Sequence, residues 1–145
     1  MIALDTNILV YAHRRDSVFH AAAAEAVRSL AEGIVPWAIP WPVVFEFWNI
    51  VTHPRIYNPP STPTQARRQL EAWFQSPVCH VIGDQPEMLA ALPDLAQAEI
   101  RDGQIHDARI ALLCRANGIT ELWSVDRDFS RFPWVQTRNP LITAQ

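Results

Sequence analysis

The sequence has no lysine, because all 12 of its basic residues are arginines. A Walker A nucleotide site and a Schiff-base enzyme both need a lysine, so both classes are excluded. Glycine is also scarce: the four glycines are not spaced as in a dinucleotide- or phosphate-binding loop. The two cysteines, Cys79 and Cys114, make no disulfide framework and lack the spacing of a metal site.

Long apolar runs and a charged leader are also missing. No run approaches the roughly 20 residues that cross a bilayer, which predicts a cytoplasmic protein without a membrane segment. The composition, 49% hydrophobic and 19% charged, predicts one globular domain over residues 1–145. A formal charge of -3 is not the basic footprint of a protein that binds nucleic acid by charge alone.

Short apolar segments alternate with helical patterns along the chain. Strands are predicted over residues 1–4, 37–40, 78–82, 121–125 and 134–137. Helices are predicted over 17–32 with Ser17 as the cap, 42–51, 64–75, 86–101 with a break near Pro93, and 104–117 closed by Gly118. This alternation predicts an α/β fold whose mostly parallel sheet is covered on both faces. Ligands of such sheets bind at the carboxyl ends of the strands.

Acidic residues lie at the carboxyl ends of two predicted strands. Asp5 ends the first predicted strand, Asp126 follows a later one, and Asp107 lies near the start of a helix. Taken alone, an Asp at a strand end is more often a turn or helix cap. Three or four carboxylates in one place would repel each other by about 4 kcal/mol per pair at 4 Å and an effective dielectric near 20. A divalent cation would offset that repulsion.

Glu46 is the least expected acid, since its helix over residues 42–51 is apolar almost all the way round. Such a helix is predicted to be buried on most sides, where an ionised carboxylate needs a partner. One interpretation is an ion pair with Arg109 or Arg127, and the other is a metal ligand that faces a polar cleft. Oxygen ligands without a Cys/His cluster favour Mg²⁺ or Mn²⁺ over zinc.

Four pieces of the sequence, in order, resemble the PIN domain, and specifically the VapC toxins of type II toxin–antitoxin modules. They are the strand end Ile2–Asn7, the helical Glu46, the segment His106–Ala111, and the segment Ser124–Phe129. The last motif of the family usually begins with Thr, and Ser124 keeps the hydroxyl. Together the four pieces span essentially the whole chain.

The resemblance implies a three-layer α/β/α sandwich and an endoribonuclease that requires Mg²⁺ or Mn²⁺. It implies an acidic quartet at the metal, formed by Asp5, Glu46, Asp107 and Asp126. Asp5 and Asp107 would be direct ligands, while Glu46 and Asp126 would act through water or hold a second ion. Polar groups that support the quartet are expected at Thr6, Asn7, Ser124 and Asp128.

RNA hydrolysis would then leave 5′-phosphate and 3′-hydroxyl ends. The resemblance also implies a homodimer and a cognate antitoxin whose C-terminal tail blocks the acidic cleft. Two alternatives stay open: a housekeeping PIN nuclease in RNA processing, and a non-catalytic PIN module that only binds. An antitoxin gene directly upstream would favour the toxin, and the four filled acidic positions argue against the non-catalytic module.

Several other residues have a weaker claim to function. His13, Arg14 and Arg15 could reach RNA phosphates or form a solvated helix end. Arg67 and Arg68 are predicted to be a solvated helix face, and His106 is predicted to be structural. Six tryptophans are many for this length, and those outside the helical core position Trp73 could belong to the core or to an interface.

Overall fold

The computed structural model describes residues 1–142, without the side chain of Asp128. Five parallel strands form one sheet in the order β3-β2-β1-β4-β5. The strands are β1 (Ile2–Leu4), β2 (Trp37–Pro40), β3 (Cys79–Ile82), β4 (Glu121–Trp123) and β5 (Gln136–Arg138). The predicted α/β fold is confirmed, and all of the observed strand pairs are parallel.

Six α-helices are described alongside the sheet. They are α1 (Thr6–His13), α2 (His20–Glu32), α3 (Trp41–Val51), α4 (Pro63–Phe74), α5 (Leu92–Gln97) and α6 (Gln104–Ala116). Short 3₁₀ turns lie at Pro86–Ala91 and Asp128–Arg131. None of the described helices has both the length and the apolar character needed to span a membrane.

The centre of the sheet determines where the polar strand ends meet. β1 pairs with β4 in parallel, with Leu4 opposite Trp123. The next residues, Asp5 and Ser124, therefore leave the sheet side by side, and the Asp5 N–H donates to the Trp123 carbonyl at 2.9 Å. The apolar core begins directly below this edge, where Leu4 is fully buried. The fold thus places two distant segments at one edge.

Helix starts follow the predicted chemistry in some places and depart from it in others. Pro63 begins α4 after Thr62, whose hydroxyl accepts from the Gln65 N–H while the Gln65 side chain accepts from the Thr62 N–H. The prediction that Ser17 caps α2 is wrong. Its hydroxyl accepts from the Phe19 N–H in a turn, and the helix begins only at His20.

Gly118 ends α6 in a left-handed conformation with φ of +66°. Its N–H donates to the Arg115 carbonyl, and the next N–H, from Ile119, donates to the Cys114 carbonyl at 2.8 Å. Gly118→Ala is expected to lower the free energy of unfolding by about 1 kcal/mol, because a Cβ disfavours this conformation. Gly103→Ala, at φ of -64° and in open space, is the matched control and is expected to be neutral or stabilising. If urea denaturation gave both variants the same loss of unfolding free energy, the left-handed conformation of Gly118 would be contradicted.

Candidate active site

Asp5 connects the central strand to the first helix of the fold. Its Oδ1 accepts from the Thr6 N–H at 2.8 Å, and its Oδ2 accepts from the Ser124 hydroxyl at 2.6 Å. The residue is only 6% exposed. Burial, together with the nearby charges of Asp107 and Glu46, raises the pKa of Asp5 from 3.8 to about 6, against the opposing effect of its two hydrogen bonds. Ionisation of the Asp5 carboxyl at neutral pH therefore costs free energy in the folded protein.

Asn7 and Ser124 join α1 to the segment that follows β4. The Asn7 Nδ2 donates to the Ser124 Oγ at 3.2 Å and lies 3.5 Å from the Asp5 Oδ2. Its Oδ1 accepts from the Val125 N–H at 3.3 Å, and the Ser124 Oγ accepts from the Asp126 N–H at 3.0 Å. This network fixes the orientation of the Asp5 carboxylate and the path of the backbone into Asp126.

Glu46 reaches the same edge from α3. Its Oε2 accepts from the Thr6 hydroxyl at 2.9 Å, so Thr6 connects α1 to α3. The alternative interpretation of Glu46 as the ion-pair partner of Arg109 is wrong, because Arg109 binds Asp84 at 2.6 Å. Within the described part of the chain, Glu46 forms no ion pair with Arg127 or with any other residue.

The predicted burial of α3 on most sides is also wrong. One face of the helix packs into the core, and Glu46 lies on the exposed remainder. Trp41, Phe45 and Trp48 are 44%, 67% and 37% exposed. Helix α3 therefore has two apolar faces: one packs into the core, and the other is aromatic and exposed to solvent.

All four predicted acids line one pocket of about 240 Å³. Asp5 enters it from β1, Glu46 from α3, Asp107 from the first turn of α6, and Asp126 from the segment after β4. Over residues 1–142, with the side chain of Asp128 left aside, no three Asp, Glu, His or Cys side chains are close enough together to hold an ion by themselves. The acids therefore converge with space between them for water. Asp128, the remaining predicted member, has its side chain outside the described residues.

The rest of the pocket wall contains residues that the sequence did not single out. Tyr11 and Tyr57 line it, together with the side chains of Val10 and Ile50. Tyr57 comes from the proline-rich loop between α3 and α4, where no periodic pattern indicates which side chain turns inward. Only the aromatic character of Tyr57 in an otherwise polar, proline-rich stretch was a signal.

A family model described as the PIN domain matches residues 2–135. The chain belongs to the PIN-domain family. Its relatives include ribonuclease VapC48 of Mycobacterium tuberculosis, which is 30% identical over 137 residues, 94% of each chain. Ribonuclease VapC43 of the same organism is 32% identical over 142 residues, which cover 97% of this PIN domain and 96% of the relative. At this identity and coverage, the chain also belongs to the family of these VapC relatives.

Solved structures agree on the architecture of the PIN domain. VapBC2 from Rickettsia felis, bound to a DNA fragment from its promoter, has a TM-score of 0.67 at 22% identity and covers 96% of this chain and 98% of its own. VapC20 of Mycobacterium tuberculosis, a sarcin-ricin loop cleaving toxin, has a TM-score of 0.65 at 20% identity, with 90% and 93% covered. Both likenesses show the fold.

Proposed function

We propose that this PIN domain is a divalent-metal-dependent endoribonuclease and the toxin of a type II toxin–antitoxin module. The observation that carries the proposal is the convergence of Asp5, Glu46, Asp107 and Asp126, from four separate segments, on one pocket. The names of the VapC relatives support RNA as the substrate class. In this proposal the protein acts in the cytoplasm, where its substrate is found.

The chemistry of the pocket fits Mg²⁺ or Mn²⁺. Among the described residues that line it, the charged side chains are all carboxylates, with no arginine or histidine. The raised pKa of Asp5 reflects a buried charge that a cation would stabilise. Mg²⁺ keeps several waters and takes one or two carboxylates directly, which suits acids that surround a space and do not meet at one point. Zinc would favour Cys and His donors.

In this proposal Asp5 and Asp107 would hold the ion directly, and Glu46 and Asp126 through water. A bound ion would activate water for attack on phosphorus and stabilise the charge that develops on the phosphoryl group. Ser124 and Asn7 hold the Asp5 carboxylate in place, and Thr6 orients Glu46. Hydrolysis breaks the P–O3′ bond and leaves a 5′-phosphate and a 3′-hydroxyl.

We also propose an antitoxin partner and a homodimer. VapBC2 of Rickettsia felis supports the first, because that structure contains toxin, antitoxin and promoter DNA. The exposed aromatic face of α3, formed by Trp41, Phe45 and Trp48, has the residue types that are enriched at protein interfaces. An arginine from an antitoxin tail would be attracted to the acidic pocket beside that face.

The test is cleavage of total bacterial RNA by the purified full chain with Mg²⁺, Mn²⁺ or EDTA. We expect cutting with either metal and none with EDTA. Asp5→Asn is expected to lower the cleavage rate at least a hundredfold or so, because it removes a direct ligand, and loss of outer groups alone typically costs about 10–100-fold. The exposed Asp84→Asn, outside the pocket, is the matched control and should cut like the wild type. Equal cutting in all samples would refute a metal-dependent activity at this pocket.

A further inference from the structure

A second and larger concavity adjoins the acidic pocket. We call it the arginine groove; it has a volume of about 770 Å³. The end of α1 and the residues after it form one wall, the end of the proline-rich loop forms another, and the exposed side of α4 closes it. Its lining residues include His13, Arg14, Arg15, Asp16, Ser61 and Arg68.

The arginine groove adjoins the acidic pocket through a direct contact. The guanidinium of Arg14, which lines the groove, lies 4.3 Å from the ring centroid of Tyr57, which lines the pocket. Helix α1 also runs from one to the other, with Asp5 at its start and His13 at its end. Eight residues at 1.5 Å each make this helix about 12 Å long, so one short RNA segment would reach both concavities.

The floor of the groove is rigid and close to neutral. His13 is held between Gln69 at 3.1 Å and the buried Ser61 at 2.9 Å, and burial lowers its pKa, so the ring is neutral at pH 7. Arg14 binds Asp16 through two hydrogen bonds of 2.9 and 2.6 Å. These residues therefore shape the groove but add little net charge to it.

Two positive charges remain on its walls. Arg15 and Arg68 are both exposed, and neither guanidinium forms a hydrogen bond or ion pair with the described side chains of residues 1–142. Seven of the 12 arginines do form ion pairs in that part of the chain. Arg67 is among them, since it binds Glu71 at 3.0 Å. Arg67 and Arg68 are both exposed, as predicted, but of these two only Arg67 forms an ion pair with a described residue.

We infer that the arginine groove binds the RNA backbone beside the cleavage site, with Arg15 and Arg68 each contacting a phosphate. The inference rests on the proposed ribonuclease function. A bound cation would offset the negative charge only at the cleaved phosphate. In a protein of net charge -3, the flanking phosphates are attracted where positive side chains remain on the neighbouring surface. Guanidinium groups bind phosphate oxygens in a bidentate manner, and such backbone contacts position a nucleic acid without reading its sequence.

The test measures RNA affinity apart from cleavage. A fluorescein-labelled 20-nucleotide RNA of mixed sequence is titrated with the full chain carrying Asp5→Asn, in Mg²⁺, and anisotropy is followed between about 50 and 200 mM salt. Adding Arg15→Ala or Arg68→Ala is expected to weaken binding about fivefold at 0.1 M salt and to reduce the salt slope by about 0.7 each. Arg67→Ala is the matched control and should leave both the affinity and the slope unchanged.

The outcomes separate this inference from the ribonuclease proposal. Equal slopes for Arg67→Ala and Arg68→Ala would overturn the inference, as would a failure of the Asp5→Asn chain to bind the RNA. The inference would also be overturned if Arg15→Ala and Arg68→Ala weakened binding to a co-purified antitoxin but left RNA binding unchanged. The groove would then be a protein-binding site. Slopes that fall as expected, in a chain whose wild type does not cut total RNA, would support the groove and refute the ribonuclease.

Discussion

Asp5→Asn is expected to make the metal-free protein more stable at pH 7, although it lowers the rate of RNA cleavage. The pKa of Asp5 rises from 3.8 to about 6 on folding, so its ionisation at pH 7 opposes folding by up to about 3 kcal/mol. Asn removes that charge but turns the acceptor of the Ser124 hydroxyl into a donor, which costs about 1–2 kcal/mol. The net expected gain is about 1–2 kcal/mol.

The sign of this effect depends on pH. A carboxyl whose pKa is higher in the folded state destabilises the fold when it is ionised, above a pH of about 6. As the pH falls from 6 towards 3.8, the wild type takes up a proton at Asp5 and recovers that stability. The advantage of Asp5→Asn should therefore disappear and reverse near pH 4. Urea denaturation of the EDTA-treated proteins at pH 4 and pH 7 measures both values.

Two controls make the result specific to the pocket. Asp84→Asn removes an exposed carboxylate that pairs with Arg109, and its effect should stay within about 1 kcal/mol and be destabilising. Adding Mg²⁺ should raise the melting temperature of the wild type but not that of Asp5→Asn, since binding to the folded state alone stabilises it. A less stable Asp5→Asn protein at pH 7 would show that Asp5 is satisfied without a cation.

The edge of the sheet at which the acids meet was predictable from the sequence. Strand ends carry their own signals, because an apolar run that stops at a polar residue identifies both the strand and the first side chain beyond it. Asp5 is such a residue, whereas the predicted strand over residues 121–125 contained Ser124, which the structure places just after the end of β4. Parallel pairing of β1 and β4 then brings Asp5 and Ser124 together. Their contact is thus a consequence of the parallel topology, whereas the sequence indicated Ser124 only through the family resemblance.

The surroundings of Glu46 were not predictable in the same way. The sequence alone does not distinguish an apolar side chain in the core from one on an exposed face. The apolar composition of α3 therefore predicted burial, whereas Phe45 is 67% exposed. The arginine groove was hidden for a related reason. Arg67 and Arg68 are neighbours in the sequence, and only the position of Glu71 and the curvature of the surface distinguish their roles.

Phe47→Ala is expected to lower the free energy of unfolding by about 3–5 kcal/mol. Phe47 is fully buried, and its ring meets those of His13 and Trp73 edge to face, with centroids 5.4 and 5.3 Å away. These contacts join α1, α3 and α4, so the substitution leaves a cavity where the three helices meet. Each aromatic pair adds about 0.5–1.5 kcal/mol to the loss of buried area.

The same substitution tests how far the pocket depends on helix packing. Phe47 follows Glu46 in α3, so a cavity beneath this turn loosens the helix that carries the carboxylate towards Thr6. Phe45→Ala, on the exposed side of the same helix, is the matched control and should change the stability by about 0.5 kcal/mol or less. If urea denaturation gives Phe47→Ala and Phe45→Ala similar losses, α3 is not anchored through its core face. The position of Glu46 would then depend on its hydrogen bond to Thr6 alone.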